Sequence, residues 1–399
     1  MGGRLGSRSS PRVLRDRTVV PTSEWTQPDF DPVHPRRRRW LPCLLPPGTI
    51  ALTASHCLRA TIGDYAASRQ SANGRFRNAT PRPADAPAPG LKTFWDFFFN
   101  KPKDTEPHAP IPVRRLTRAE LDAAPDRSLY RLGHSTILMK LRGRWWITDP
   151  VFAERASPVQ WFGPKRFHAP PIALDDLPPI RGVLLSHDHY DHLDKAAVRA
   201  LAKKTDLFLA PLGVGDRLAS WGVPEAKIRQ FDWWQEARID GLTLAFTPTQ
   251  HFSGRGIGDG NCTLWGSWVI VDGDRRVYFS GDSGYFDGFA EIGRRYGPFD
   301  LAMMETGAYN EQWPYVHMQP AQTVRAFRDV RGMWLLPIHN GTFDLAMHPW
   351  HEPFDEVLRI AEAQGIRVAT PVMGERIDLD APQPGERWWR AVMAQEADR

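Results

Sequence analysis

The densest chemistry in the 399-residue sequence is the run Ser186-His187-Asp188-His189-Tyr190-Asp191-His192, which places three of the thirteen histidines within six positions. Histidines two apart at the end of an extended strand point the same way and can grip one cation. The turn that follows brings Asp191 and His192 round to a second. Imidazole and carboxylate without thiolate suit Zn²⁺ ahead of Mn²⁺ or Fe. Three cysteines, Cys43, Cys57 and Cys262, are too few and too scattered for a disulfide framework or a Cys-rich metal module, so any metal falls to His and carboxylate. Further candidates are His251 in Thr-Pro-Thr-Gln-His, Asp282 in Ser-Gly-Asp-Ser-Gly, and His339. Ser186 and Ser283 adjoin candidates and read as turn or supporting residues.

Each candidate follows a β-rich run. Residues 183–186 lead into His187, 242–247 toward His251 with Leu242, Leu244 and Phe246 on one face, 277–280 to Asp282, and 333–338 to His339. The Asp272-Gly273-Asp274 turn pairs 268–271 with 277–280, and 129–149 alternates like strands with a turn at Arg142-Gly143. The candidates therefore share one end of the strands. Helical text lies between them at 195–204, with Asp194 as N-cap, at 320–330 and at 354–364. Strands interleaved with helices predict a layered α/β architecture in which helices cover sheet faces.

With 42% hydrophobic and 24% charged residues, the chain has the composition of a soluble globular protein, long enough for an enzyme-sized pocket. The net charge of +5 is local: residues 1–40 hold nine Arg and four acids, so the remainder is neutral and a basic nucleic-acid-binding face is not indicated. Residues 1–70 read as a basic, Pro-interrupted arm. Its uncharged run 40–58, broken by Pro42, Pro46 and Pro47, makes a poor signal or membrane span, although a downstream translation start would turn it into an export signal. The Pro- and Ala-rich 81–90 reads as an extended linker with regular structure after it. The apolar 94–99 (FWDFFF) is expected to anchor the 71–128 segment on the core of a hydrolase domain at 129–399.

The stretches LGHSTILMKL, ITDPVFAERASPVQWFGPKRF, LPPIRGVLLSHDHYDHLD, FTPTQHF, FSGDSGYFDGFAEIGRRYGPFDLA and IHNGTFDLAMH, in that order, resemble the N-acyl-phosphatidylethanolamine-hydrolysing phospholipase D family of the metallo-β-lactamase superfamily. The resemblance runs from Leu129 to about Leu379. It implies an α/β fold, the αββα metallo-β-lactamase sandwich with a dinuclear metal site at one edge, and two Zn²⁺ per chain. His187, His189 and His251 would hold the first ion, Asp191, His192 and His339 the second, and Asp282 would bridge them. Asp191 and His317 are the implied catalytic groups, with His317 contacting the substrate phosphate. Gln160, Trp161 and Trp313 fall in stretches that would border the substrate groove, while Trp233 and Trp234 are assigned to the core. His134, His348 and His351 read as supporting residues, not ligands.

The implied activity is a zinc-dependent phosphodiesterase of phospholipase D type, in which a metal-bridging hydroxide attacks phosphorus in line and gives phosphatidic acid and an N-acylethanolamine or another alcohol. The implied partner is a phospholipid. Peripheral membrane contact and a homo-oligomer are compatible with it, nucleic acid is not expected, and the cytoplasm is the expected location. Two other chemistries use the same centre: a lactonase or other carbonyl hydrolase, and, disfavoured by the neutral body, a nuclease. The glycine-rich FSGRGIGDGN after His251 departs from the family, so the groove loops are expected to differ.

Overall fold

Side chains on a strand alternate between two faces, and in this chain that alternation sorts the elements into layers. The structure, a computed structural model of the chain, describes residues 65–83 and 90–398. Most of the expected basic arm, including its 40–58 run, and the 84–89 part of the linker lie outside the described residues. A short hairpin of β1 (Ser71–Ala72) and β2 (Arg75–Phe76) comes first. It is followed by α1 (Leu91–Phe99) and α2 (Arg118–Ala123). Next come β3 (Ser128–Gly133), β4 (Thr136–Leu141), β5 (Arg144–Thr148), β6 (Ile180–Leu184), β7 (Thr205–Pro211) and β8 (Ile228–Phe231), which form one sheet in sequence order. The second sheet holds β9 (Glu236–Ile239), β10 (Leu242–Thr247), β11 (Ser267–Asp272), β12 (Arg275–Phe279), β13 (Leu301–Glu305), β14 (Trp334–Ile338) and β15 (Arg367–Val368), also in sequence order. The chain then returns with β16 (Arg376–Asp378) to pair with β3 on the first sheet.

The facing sides of the two sheets share one core, where Ile137, Met139, Trp146 and Leu184 meet Leu244, Phe246, Trp268, Phe279 and Met303. Their alternates face outward. Leu138, Ile147, Val183 and Phe208 pack under α2, α3 (Lys195–Leu201) and α4 (Val214–Ser220). Val269, Tyr278, Ala302 and Met304 pack under α5 (Gly288–Tyr296), α6 (Pro320–Asp329), α7 (Glu352–Ala363) and α8 (Trp388–Ala397). Burying a large apolar side chain contributes roughly 1.5–3 kcal/mol, so a one-residue slip in any of these strands would exchange two buried sets at once. This is the expected αββα sandwich.

Strand direction decides where the site is. β5 and β6 are parallel, β12, β13 and β14 are parallel, and β10 runs with β12 because β11 is antiparallel to both. Asp149, His187, His251, Asp282 and His339 all follow the C-terminal ends of these strands, and Glu305 ends β13. Asp194 caps α3 as expected: Oδ1 accepts the N–H groups of Ala196 and Ala197 while Oδ2 accepts those of Phe152 and Ala153, which ties the loop after β5 to the exit of the histidine motif.

Three expectations are corrected. Regular structure begins before the Pro-rich linker, in the β1–β2 hairpin. Packing also reaches back past the expected arm boundary at 70, since Tyr65 is buried and its hydroxyl donates to Asp216 at 3.0 Å. Within the 94–99 run, Trp95 and Phe99 do not sink into the core. The run lies in α1, where Leu91, Trp95 and Phe99 form an exposed stripe at spacing four and Trp95 is 61% exposed. Thr93 is buried on another side, and Lys101 covers the half-buried Phe97. A helix with apolar residues on more than one side can bury only the side that meets a partner.

Candidate metal centre

The chain turns sharply after β5, where Asp149 has φ +33° and is fully buried. Its Oδ1 accepts the Ser186 N–H at 2.8 Å, and its Oδ2 accepts both the Ser186 hydroxyl and His192 Nδ1–H, the latter at 2.7 Å. Because an ionised carboxylate only accepts, this bond commits His192 Nδ1 as donor and leaves Nε2 as the nitrogen that faces the other candidates. His192 Nε2 is buried without a hydrogen-bond partner. It lies 3.1 Å from Asp282 Oδ1, which also lacks one.

Around that pair the other expected ligands converge. His187 Nε2 and His251 Nε2 lie 3.0 and 3.3 Å from His189 Nδ1, and each is 3.8 Å from Asp282 Oδ2. On the other side, Asp191 Oδ2 is 3.4 Å from His192 Nε2 and 3.2 Å from His339 Nε2, while His339 Nε2 is 2.9 Å from Asp282 Oδ2. One ligand atom each from His187, His189, His251 and Asp282 lies within 4.8 Å of the others, and so do atoms from Asp191, His192, His339 and His134. Three rear nitrogens are engaged: besides His192 Nδ1, His187 Nδ1 meets Ser186 Oγ at 2.9 Å, and His251 Nδ1 donates to the Val316 carbonyl at 2.9 Å.

Asp282 can reach both groups because glycines at 281 and 284 let its turn approach its neighbours closely. Gly281 has φ +56°, and a Cβ there would lie 2.7 Å from Ser186 Cβ and 2.8 Å from the Gly266 carbonyl oxygen; at Gly284 it would lie 2.2 Å from the Tyr315 oxygen. Neither neighbouring serine serves the site directly. The Ser186 hydroxyl turns to Asp149, and Ser283 Oγ accepts the Gln250 N–H and donates to the Gly284 carbonyl.

Protons are contested here. Burial and neighbouring imidazoles hold His187 and His251 well below the usual range, and burial lowers His189. Burial also opposes charge on His339 and His192, yet Asp282 and Asp191 hold His339 up at about 9 and hold His192 well above its ordinary range. Both carboxylates are in turn held well down, against burial, chiefly by His192. Neutral imidazole nitrogens and ionised carboxylates are what a divalent cation takes, and two cations would resolve this competition. The orphaned His192 Nε2 and Asp282 Oδ1, with an all-nitrogen and oxygen donor set, fit that occupancy.

The remaining candidates separate. His134 Nε2 bonds Asp191 Oδ2 at 3.0 Å, from a strained backbone with φ +46°. His348 stacks on Tyr309 and His351 bonds Asp355. The Gln160 amide is spent on Arg155, accepting its N–H and donating to its carbonyl, so it shapes the turn beside Trp161, which is 80% exposed. Trp313 is half-buried and donates to the Ala308 carbonyl. Trp233 packs in the inter-sheet core, with Trp234 half-buried against it. His317 sits with Asp282 and His339, and its Nδ1 is 3.0 Å from Glu305 Oε1.

Sequence reading missed Glu305 and Asp149. Glu305 is fully buried, its second oxygen accepts the Met318 N–H at 3.1 Å, and burial pushes its carboxyl up against the pull of His317. The available signal was a lone acid closing an apolar strand, Leu-Ala-Met-Met-Glu, and an acid directly after Trp-Trp-Ile-Thr.

The Beta-lactamase superfamily domain model matches residues 144–340. An uncharacterized protein of Mycobacterium tuberculosis is 42% identical over 357 residues, covering 86% of this chain and 95% of that protein. The N-acyl-phosphatidylethanolamine-hydrolyzing phospholipase D 1 of Caenorhabditis elegans is 34% identical over 267 residues, covering 64% of this chain and 75% of that protein. A crystal structure described as a possible metal-dependent hydrolase from Veillonella parvula aligns with TM-score 0.52 at 18% identity, over 64% of this chain and 100% of that one, a likeness of fold.

Proposed function

Since the chain belongs to the N-acyl-phosphatidylethanolamine-hydrolysing phospholipase D family of the metallo-β-lactamase superfamily, and is a metal-dependent hydrolase, we propose that it cleaves a phosphodiester bond in an N-acyl-phosphatidylethanolamine or a related glycerophospholipid. The products are phosphatidic acid and an N-acylethanolamine or another alcohol. The observation that carries this reading is Asp282, grouped with His187, His189 and His251 and within 3.1 Å of His192 and 2.9 Å of His339 in the other group, with His317 beside them.

In this reading His187, His189 and His251 hold one cation, Asp191, His192 and His339 hold the other, and Asp282 serves both, with zinc the metal best matched by the donor chemistry. When bound, two such cations polarise a phosphoryl oxygen and make hydroxide available at neutral pH. The chain supplies orientation. Asp149 and His134 steady His192 and Asp191 from behind. His317, with Nδ1 turned to Glu305, has Nε2 left to meet a phosphoryl oxygen of the substrate. Water provides the attacking oxygen, and no serine is called on.

Contact with a lipid surface belongs to the same proposal. Thr93 in α1 hydrogen-bonds Gln312, in the loop that leads to His317, so the stripe of Leu91, Trp95 and Phe99 flanks the segment carrying that residue. Aromatic side chains with a polar tip suit a membrane interface. No helix among the described residues is long and apolar enough to cross a membrane.

Product analysis tests the reading. Mass spectrometry of a mixed phospholipid extract treated with metal-loaded protein is expected to show an N-acylethanolamine appearing with phosphatidic acid. Release of diacylglycerol or free fatty acid, or efficient lactone opening with phosphodiesters untouched, refutes it.

A further inference from the structure

His251 follows β10 by four residues and so leaves the ladder that holds its neighbours, yet both its main-chain groups are paired. The partner is a single side chain. Asn78 Nδ2 donates to the His251 carbonyl at 2.8 Å, and Asn78 Oδ1 accepts the His251 N–H at 3.1 Å and Trp265 Nε1–H at 2.9 Å. An amide side chain has both a donor and an acceptor, so Asn78 pairs with His251 as a neighbouring strand would. The surrounding segment repeats the grip on either side. Gln250 Nε2 donates to the Thr80 carbonyl at 3.1 Å, the Phe76 N–H donates to the Asn261 carbonyl at 2.7 Å, and the Arg75 guanidinium binds the carbonyls of Gly258 and Gly260. The glycine-rich loop after His251, held on its other side by Arg255 on the Asp188 and Leu193 carbonyls and by Arg217 on Asp259, is thereby gripped by the strap as well.

We propose that Asn78 is a positioning residue for the metal centre: the N-terminal strap at 65–83 uses its side-chain amide to hold the main chain of His251, while the Val316 carbonyl holds the His251 ring from behind. This rests on the reading of His251 as a ligand. A ligand fixed in advance binds metal without first having to be ordered, and loss of such outer supports typically weakens metal binding about 10–100-fold. The effect belongs to the cation held with His187 and His189, since the strap's grip near the site falls on Gln250 and His251, and His251 groups with those two histidines and Asp282.

The test uses the full-length chain, with Zn²⁺ stoichiometry from elemental analysis and affinities from competition with a chromophoric chelator. Asn78→Ala is expected to keep one zinc at wild-type affinity and bind the other about 10–100-fold more weakly. Tyr65→Phe cuts the strap's distant anchor on Asp216 and Gln230 and is expected to leave both affinities unchanged. Wild-type affinities in Asn78→Ala overturn the proposal, and so does an equal loss in Tyr65→Phe, which would assign the effect to the strap as a whole. Should Asn78→Ala fail to fold, hydrogen exchange on the zinc-loaded wild type labelled with ¹⁵N-histidine decides: a protected His251 amide is expected, and rapid exchange overturns the hydrogen bond. His251→Ala separates the two readings, because retention of both zincs there removes His251 from the ligands, whereas loss of one zinc beside a normal Asn78→Ala removes only Asn78.

Discussion

The strands that carry the site have two ends, and the ends are built differently. At the end remote from the metal ligands, charges are matched in a lattice: Arg127 bonds Asp272, Asp274 and Asp380, Arg142 bonds Asp272, and Arg275 bonds Asp380 and Asp300. Most of these groups are exposed or half-buried, and each acid faces a guanidinium. At the other end of β5 and β12 lie Asp149 and Asp282, fully or nearly buried among imidazoles, with His192 Nε2 and Asp282 Oδ1 lacking hydrogen-bond partners. A buried polar group left unmatched costs about 1–3 kcal/mol, whereas an exposed ion pair contributes about 0–1 kcal/mol. The sandwich therefore joins a self-sufficient edge to one completed by something it binds.

The strongest way to break this contrast is to remove the shared carboxylate. Asp282→Ala should lose both metals and drop turnover to background, read by elemental analysis and product formation on one preparation; wild-type metal content would take Asp282 out of the centre. His317→Ala comes next, with metals retained and turnover down about 10²–10³-fold. Glu305→Gln should retain metals and lose about 10–100-fold. Combined with His317→Ala it should cost little more than His317→Ala alone, since Glu305 acts through that ring. Additive losses would give Glu305 a separate task.

What sequence could and could not show follows the same division. His187, His189, Asp191 and His192 were legible because rare residue types recur at spacings that only metal chemistry explains. The strand 242–247 and the starts of α3 and α6 were legible because period and capping are local signals. Asp149, Glu305 and Asn78 are ordinary residues whose roles arise from partners 43, 12 and 173 positions away. No local pattern encodes those pairings. The α1 helix misled for a related reason, because an apolar run declares that it wants cover without saying which side receives it.

A smaller effect sharpens the electrostatic side of the contrast. His339 is held at about 9 against burial by Asp282 and Asp191, above an ordinary imidazole near 6.5. In metal-free protein its contribution to stability is complete below the ordinary value and fades as pH rises through about 9. Asp191 and Asp282 are depressed, so their contribution is present above the ordinary carboxylate range and fades as pH falls. A cation taking His339 Nε2 must displace its proton, so metal binding at pH 7 should release protons and tighten as pH rises toward 9. Titration calorimetry in two buffers of different ionisation enthalpy reads the release, and identical heats would contradict it.

The smallest expected effect lies at the remote edge. Arg142 is 42% exposed and shares Asp272 with Arg127, so Arg142→Ala leaves that carboxylate one guanidinium and should cost about 1 kcal/mol in denaturant unfolding. Metal stoichiometry, metal affinity and turnover should stay at wild-type values. The same β4–β5 turn reaches Asp149 through the length of β5, a short rigid strand, so a disturbance that travelled would arrive at His192. A metal affinity lowered by Arg142→Ala would mean that the charge lattice sets the register of β5 for the site. The two edges would then be one device, and the division of labour between them would fail.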